Sequence, residues 1–236
     1  MGLLSWLFGH KEVQEYSRHP AGENRLSQLL YWAICQQSHY EVIKALNNGA
    51  NPNSIMEDGR TLFQFVLDLL QERIPIDREL AVVSDSYLCM ITAMLKRGAS
   101  RDMLMCYPDV VLWLYKYGGI IEVKPFEILG SPDLIKFDGV TPMGLAIKSG
   151  SIYFVRSLLE DAGADPNAVA DDNTGLTAFQ MALEDNFLQP VAMMINHGAS
   201  LEILRRYPNM IDSIKLENGI RDVSEARIRL EQYGIL

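Results

Sequence analysis

Apolar residues recur along most of the chain at helical spacing, in short runs separated by glycine-containing turns. The clearest segment begins at Thr141 and turns at Gly150. Its apolar positions on either side of that glycine are Met143, Leu145, Ala146, Ile147, Ile152, Val155, Leu158 and Leu159. This spacing predicts two helices joined by a tight turn, each with one apolar face.

Two prolines and the tail of the chain predict further helices. Pro108 and Pro208 each follow a tyrosine, and proline is favoured in the first turn of a helix. Helices are therefore predicted to begin at Asp109 and Asn209. Residues 222–233 have apolar positions at helical spacing, which predicts a terminal capping helix.

The chain contains an internal duplication. Gly-Ala-Ser, Tyr-Pro and Gly-Ile recur in the same order and at one offset, from residues 98, 107 and 119 to residues 198, 207 and 219. Two upstream blocks recur at a larger offset, so the first copy holds an insertion. The predicted division is an N-terminal segment 1–24, a first half 25–120 with an insertion at about 71–84, a linker 121–137 and a second half 138–236.

Within each half, a block of the form Asp-Gly-x-Thr precedes a pair of predicted helices, at Asp58 and at Asp138. The second pair ends in Gly-Ala-Asp-Pro-Asn at residues 163–167. This arrangement resembles the ankyrin repeat, with Thr141–Ala146 at the family's Thr-Pro-Leu-His-x-Ala motif and Gly144 in place of the histidine. Less regular copies resemble the family at about 26–53, 58–100 and 173–200.

The resemblance implies an all-α solenoid of stacked helical hairpins, with irregular helical units at the middle and at the C-terminus. It also implies a non-enzymatic module that binds a partner protein through its concave face and inter-repeat loops, without cofactor or metal. Because Gly144 replaces the family's histidine, the turn there is expected to lack side-chain bracing.

Charge and cysteine content narrow the function classes. Lys and Arg number 21 against 30 Asp and Glu, a formal net charge of −9. Nucleic-acid binding depends on clustered basic residues that neutralise phosphates, so no nucleic-acid partner is expected. Three widely spaced cysteines predict neither a disulfide framework nor a metal pair, which favours a reducing, cytoplasmic setting.

Residues 1–8, Met-Gly-Leu-Leu-Ser-Trp-Leu-Phe, form a short apolar strip. A membrane-spanning helix needs about 20 apolar residues, and no segment of the chain is long and apolar enough, so no transmembrane segment is predicted. Two interpretations stay open for the strip. It covers an exposed end of the fold, or it makes a weak contact with a membrane or partner.

The inter-repeat loops supply the first partner-binding candidates, since connecting loops project and carry function. These candidates are Ile55, Met56 and Asp58 in the first half, and Asp171 and Asp172 in the second. One alternative is that the two apolar side chains pack against the next turn. The second alternative concerns the stretch from Glu160 to Asp172, which holds five acidic residues and no basic one. This acidic stretch is then a solvated rim and not a docking patch for a basic surface.

Aromatic residues are common interface anchors, which adds Tyr31, Trp32 and Trp113 as candidates. The alternative for each of them is a place in the core.

Residue types that carry catalysis are few. His39 stands at the family's turn histidine and His197 near a predicted helix C-terminus, so both are interpreted as structural. Cys106 is expected to be buried, as free cysteines usually are. The chain is therefore predicted not to be an enzyme. The alternative is an enzyme or enzyme-linked fragment with chemistry in the non-ankyrin segments 101–137 or 201–236.

Isolated ankyrin proteins with degenerate repeats resemble effectors that intracellular bacteria inject into host cells. The tail from Ser224 to Leu236 mixes acidic residues with an apolar end and is compatible with a type IV translocation signal. The alternative is an ordinary capping helix. The predicted location is the cytoplasm, or a host cell reached through a specialised secretion system.

Overall fold

A computed structural model of the chain describes residues 25–73, 81–117 and 129–236. The described α-helices are α1 Arg25–Cys35, α2 His39–Asn47, α3 Leu62–Arg73, α4 Ala81–Lys96, α5 Arg101–Met105, α6 Pro108–Tyr117, α7 Pro142–Lys148, α8 Ile152–Glu160, α9 Ala178–Glu184, α10 Leu188–Asn196, α11 Leu201–Leu204, α12 Pro208–Leu216 and α13 Arg221–Gln232. A 3-10 helix covers Pro132–Leu134, and strand β1 Val169–Asp171 pairs antiparallel with β2 Leu176–Thr177. The mostly helical fold predicted from the sequence is confirmed, with one short hairpin of strands added to it.

The chain forms two compact units, Met1–Val111 and Leu112–Leu236. In the first unit, α1 packs on α2, α2 on α4, and α3 on α4. The apolar faces of these helices meet in a core whose largest fully buried side chains include Leu30, Tyr31, Ile34, Leu62, Phe63, Leu67, Leu70, Tyr87 and Leu88. Burial of these faces against one another supplies the main stabilisation of the unit, because one helix pair cannot bury its apolar face alone.

In the second unit, α7 packs on α8, α9 on α10, and both α8 and α13 on α10. The buried residues of α13 are Asp222 and the apolar Val223, Ala226 and Leu230, and the three apolar ones recur at helical spacing. The rest of that helix is rich in charged residues. The tail helix thus has the apolar inner face and polar outer face expected of a cap.

The threonine of each repeated block begins a helix. Thr141 Oγ1 accepts a hydrogen bond from Gly144 N at 3.2 Å, and Pro142 occupies the first helical position of α7. Thr61 Oγ1 accepts a hydrogen bond from Gln64 N at 3.0 Å at the start of α3. Thr177, which lies directly before α9, forms a reciprocal capping box with Gln180. Local sequence therefore sets where the first helix of each pair begins.

Helix boundaries lie close to the predicted ones. The helices at the two Tyr-Pro pairs begin at Pro108 and Pro208, one residue before the prediction, and α13 begins at Arg221. Of the predicted insertion, residues 74–80 lie outside the described residues, as do 118–128 of the linker region and the N-terminal segment 1–24.

Candidate functional site

Two neighbouring loops of the second unit form the most regular projecting surface there. We call residues 137–140 and 169–177 the paired fingers. In the first finger, Phe137 and Val140 exchange main-chain hydrogen bonds at 2.9 Å in each direction. Asp138 and Gly139 make the turn between them with φ of 51° and 80°. Positive φ at both central residues is the geometry that Asp-Gly favours in a tight hairpin.

The backbone joins one finger to the other. Thr141 N donates to Ala170 O, and Asp172 N donates to Gly139 O, each at 2.9 Å. These two bonds flank an antiparallel bridge between Val140 and Asp171. Main-chain hydrogen bonds therefore hold the backbone that carries the side chains at the tips of both loops.

Gly144 lies under this junction. A Cβ atom at this position would lie 2.7 Å from Ala170 O and 2.8 Å from Val140 Cγ1. No side chain fits there without movement of the backbone. Residue 144 itself supplies no side chain to the turn. The loop carrying Ala170 packs directly on the helix instead.

Charged side chains add to the junction. Asp171 is 3% exposed and accepts a hydrogen bond from Lys148 Nζ at 2.7 Å, and this bond lowers the pKa of Asp171. Asp172 is exposed and pairs with Lys136 at 2.5 Å. Of the acidic stretch, Glu160 also pairs, with Arg156. Three of its carboxylates thus have basic partners within the chain, which favours the solvated-rim interpretation over a docking patch for a basic surface.

The first unit carries a single comparable finger between α2 and α3. Ile55 and Thr61 form a main-chain bridge across it, and Met56 N donates to Arg60 O at 2.7 Å. Ile55 is 57% exposed at this loop, whereas Met56 is 2% exposed and belongs to the core. The alternative of packing against the next turn therefore describes Met56, and Ile55 remains a surface candidate.

Arg60 ties this finger to two helices. Its guanidinium bonds to Asp58 at 2.7 Å and to Asp68 of α3 at 2.6 Å. Tyr107, just before α6, donates its hydroxyl to Asp68 at 2.5 Å. Burial first, and then the hydrogen bond to Asp68, raises the pKa of Tyr107 to about 12. Asp58, a partner-binding candidate, is thus engaged by Arg60.

The aromatic candidates divide by burial. Tyr31 is fully buried and stacks on Phe65, with ring centroids 5.7 Å apart, so its side chain is a core element and not a surface anchor. Trp32 is 44% exposed on α1, and Trp113 is half-buried on α6. Sequence reasoning missed Val169, which is 42% exposed on β1 beside Ala170. Its alternation with a buried neighbour in a strand could have marked it.

The duplicated Gly-Ala-Asx-Pro-Asn and Gly-Ala-Ser blocks meet through one side chain in each unit. Asn53 Nδ2 donates to Gly98 O at 2.8 Å, and Ser100 N donates to Asn53 Oδ1 at 3.3 Å. Asn167 bonds in the same way to Gly198 O, at 3.1 Å, and to Ser200 N, at 2.8 Å. One amide side chain therefore connects two successive loops in each unit and explains why both blocks recur together.

The candidate catalytic side chains have structural neighbours. The His39 ring lies 3.2 Å from Ser86 Oγ, and the His197 ring lies 2.8 Å from Met193 O. Cys106 is exposed, which corrects the expectation of burial, because its Sγ lies at the surface end of α5 and faces Asp102 O at 3.5 Å. In residues 25–73, 81–117 and 129–236, no three His, Cys, Asp or Glu side chains are placed to share a metal ion. No helix in those ranges is long and apolar enough to cross a membrane.

Comparison with protein-family models matches residues 138–171 to the ankyrin repeat. The match covers α7, α8 and β1 together with the first of the paired fingers, the segment in which the sequence resemblance was clearest. The chain contains an ankyrin repeat at these residues. A comparison with curated proteins found no match. Ankyrin repeats are protein–protein interaction modules in general, so the family indicates protein partners.

Proposed function

We propose that this chain is a non-enzymatic interaction module and that its second unit binds a partner protein on the paired fingers. The observation that carries the proposal is the backbone connection between the fingers, which fixes Val169 and Asp172 at the surface before any partner arrives. A prearranged surface loses little conformational entropy on binding, so few exposed contacts suffice for a specific complex. The concave face expected of stacked repeats is part of the same proposal.

Ile55 extends the proposal to the first unit. It is the exposed apolar tip of a finger held by Arg60, and an apolar side chain on a fixed loop is a suitable anchor. We treat it as a separate contact with its own test.

The test is partner capture followed by affinity measurement on the purified complex. Val169→Asp and, separately, Ile55→Asp should each weaken a stoichiometric complex by about tenfold or more, the range of an interface anchor. Leu216→Asp is the matched control, because Leu216 is an exposed apolar residue at the end of α12. Equal affinity for Val169→Asp and the control would contradict docking on the paired fingers.

An experiment can distinguish the alternative of an enzyme from the proposed non-enzymatic module. Cys106 is the exposed nucleophilic side chain of the irregular segment after residue 100. If Cys106→Ala abolished an activity toward the captured partner while the complex still formed, the non-enzymatic proposal would be wrong. If Cys106→Ala retains every effect that the unaltered chain has on the captured partner, the result supports the non-enzymatic proposal.

The proposed setting is delivery into a host cell as a bacterial effector acting on host proteins. Its support is the family resemblance together with the acidic and apolar tail. Deleting residues 220–236 is a poor test because α13 supplies Val223, Ala226 and Leu230 to the core. We therefore choose Glu231→Lys, on an exposed position of α13, with Asp212→Lys on α12 as the control. A translocation reporter should show reduced delivery for the first variant only, and equal delivery would remove the effector proposal.

A further inference from the structure

The tail helix α13 has a second face beside its buried one. Glu225, Ile228, Arg229 and Gln232 recur at the spacing that places residues on one side of a helix. They lie outside the set of buried residues of α13, and Ile228 is 56% exposed. We call these four residues the Ile228 stripe. The stripe joins an exposed apolar side chain to one acidic and one basic residue.

A groove of about 420 Å³ lies against the Ile228 stripe. Its lining consists of the residues of the stripe, of Asn196 at the end of α10, and of Tyr233, which directly follows α13 and is 60% exposed. All of these residues belong to the unit Leu112–Leu236. A groove beside an exposed helix, with apolar and charged residues in its wall, is suited to bind a second helix.

The charged residues of the stripe keep binding capacity for a partner. Arg229 Nη1 donates to Asn196 O at 2.6 Å, which holds the guanidinium at the groove and uses one of its several N–H donors. Glu225 pairs with Arg221 at 2.8 Å, but the Arg221 side chain is 89% exposed, and ion pairs at such positions contribute little. A partner that offers an acid to Arg229 and a base to Glu225 therefore fits this surface.

The sequence of α13 itself supplies such a partner. Two helices of this sequence, placed antiparallel and centred on residue 227, bring together positions that lie equally far on either side of the centre. Glu225 then faces Arg229 of the second copy, and symmetry repeats this pair. A parallel arrangement would instead place each charge beside its own counterpart, where like charges repel. Charge complementarity thus favours the antiparallel arrangement.

We infer that the Ile228 stripe is the contact surface between two copies of this chain, whose α13 helices pack antiparallel. Two further pairings support the same register. Arg221 faces Tyr233 of the second copy, which places a cation opposite an exposed aromatic ring. Ile228, directly beside the centre, lies next to its own counterpart, so both exposed apolar side chains are removed from water.

This contact goes beyond the proposed function, which concerns a different protein bound on the paired fingers. The groove is lined by residues of α10 and α13 and by Tyr233, whereas the paired fingers are residues 137–140 and 169–177. The two surfaces consist of different residues. Failure of one proposal therefore leaves the other standing.

Sedimentation equilibrium of the purified full chain over a series of concentrations tests the pairing and should show a reversible dimer. Glu225→Arg and, separately, Arg229→Glu should each weaken the dimer by about tenfold or more, because like charges then face each other across the contact. An equal mixture of the two variants should restore dimerisation, since each copy supplies the charge that the other has lost. Glu231→Arg is the matched control. Glu231 is exposed on another side of α13, so this variant should leave the dimer unchanged.

The outcomes of this experiment separate the pairing from its alternatives. A chain that stays monomeric at every concentration, whether or not a different protein occupies the groove, would overturn the inference. A dimer that Glu225→Arg and Arg229→Glu leave unchanged would overturn it too, because the contact would lie elsewhere. If both variants weaken the dimer and their mixture does not restore it, the two residues do not face each other and the inference is wrong. Restoration in the mixture supports the inference and shows that both variants are folded.

Discussion

The fingers that contain the two Asp-Gly-x-Thr blocks adopt similar turns but are anchored by different means. In the first unit, the side chain of Arg60 reaches Asp58 and Asp68. In the second unit, Val140 stands at the matching position, and the main chain of the neighbouring finger supplies the bonds instead. One four-residue block therefore determines the turn, while the variable residue inside it determines the anchor.

At two further matching positions, the residue types also differ between the two units in line with the kind of anchor. Gln64 of α3 corresponds to Gly144 of α7, where the absence of a side chain admits the Ala170 carbonyl. Asp68 corresponds to Lys148, so the helix offers an anion to a cationic loop in one unit and a cation to Asp171 in the other. The comparison teaches that two related sequence blocks can use side-chain anchoring in one unit and backbone anchoring in the other at matching positions.

The largest effect on the free energy of unfolding is expected at Gly144, where the backbone of the neighbouring finger lies closest to α7. Gly144→Ala should destabilise the protein by about 1–3 kcal/mol, because a methyl group would overlap Ala170 O. Urea unfolding measures the change, and faster hydrogen exchange in 137–140 and 169–177 locates it. A glycine with free space in a helix would instead gain about 0.4–1 kcal/mol on mutation to alanine. Such a gain would show that the loop carrying Ala170 does not pack closely against α7.

Removal of the side-chain anchor comes next. Arg60→Ala should cost about 1–2 kcal/mol, since it breaks charge-assisted hydrogen bonds that are only partly exposed to solvent. Urea unfolding gives the value, and Lys96→Ala, at an exposed position of α4, should change stability by less than about 0.5 kcal/mol. If both variants behaved alike, the finger of the first unit would need another anchor.

Tyr107→Phe should cost about 1 kcal/mol by removing the hydrogen bond to Asp68. The folded state raises the pKa of Tyr107 to about 12, above the value near 10 of an unfolded chain. This contribution is therefore complete below pH 10 and is lost as the pH rises toward 12. Stability measured from about pH 9 to about pH 12 should fall less steeply for the variant than for the unaltered protein.

Tyr207→Phe is the control for that experiment. Tyr207 precedes α12 as Tyr107 precedes α6. In the repeat before Tyr207, the residue directly before the helix-starting Thr177 is Leu176, whereas in the repeat before Tyr107 the residue directly before Thr61 is Arg60. If the two variants changed the fall in stability at alkaline pH by the same amount, the pH effect would not come from the contacts among Tyr107, Asp68 and Arg60.

The smallest effect is expected at the rim of the paired fingers. Lys136→Ala removes an exposed ion pair with Asp172 and should cost about 0.2–1 kcal/mol at low salt. Because salt screens exposed charges, the difference from the unaltered protein should shrink toward zero at about 1 M salt. Thermal unfolding at low and high salt measures it. A cost that persists at high salt would indicate that this pair, and not the backbone, anchors the finger.

Much of the candidate site could be predicted because its signals are local. Asp138 and Gly139 predict a tight turn, Thr141 and Pro142 predict a helix start, and the apolar spacing after them predicts the buried face. The burial of Tyr31 and Met56 could not be predicted, because it depends on which neighbouring helix covers each side chain. The exposure of Cys106 depends on the same kind of contact.

The sequence by itself determined the repeated turns, the starts of the helices and the ankyrin resemblance, since these depend on residues within a few positions of one another. Only the tertiary structure decided that Gly144 admits a carbonyl from residue 170 and that Asp68 joins Arg60 to Tyr107. It also decided that Asp171 and Asp172 pair with Lys148 and Lys136, which are distant from them in sequence. The physical reason is distance along the chain, because hydrogen bonds and ion pairs between separate repeats depend on how the helices stack.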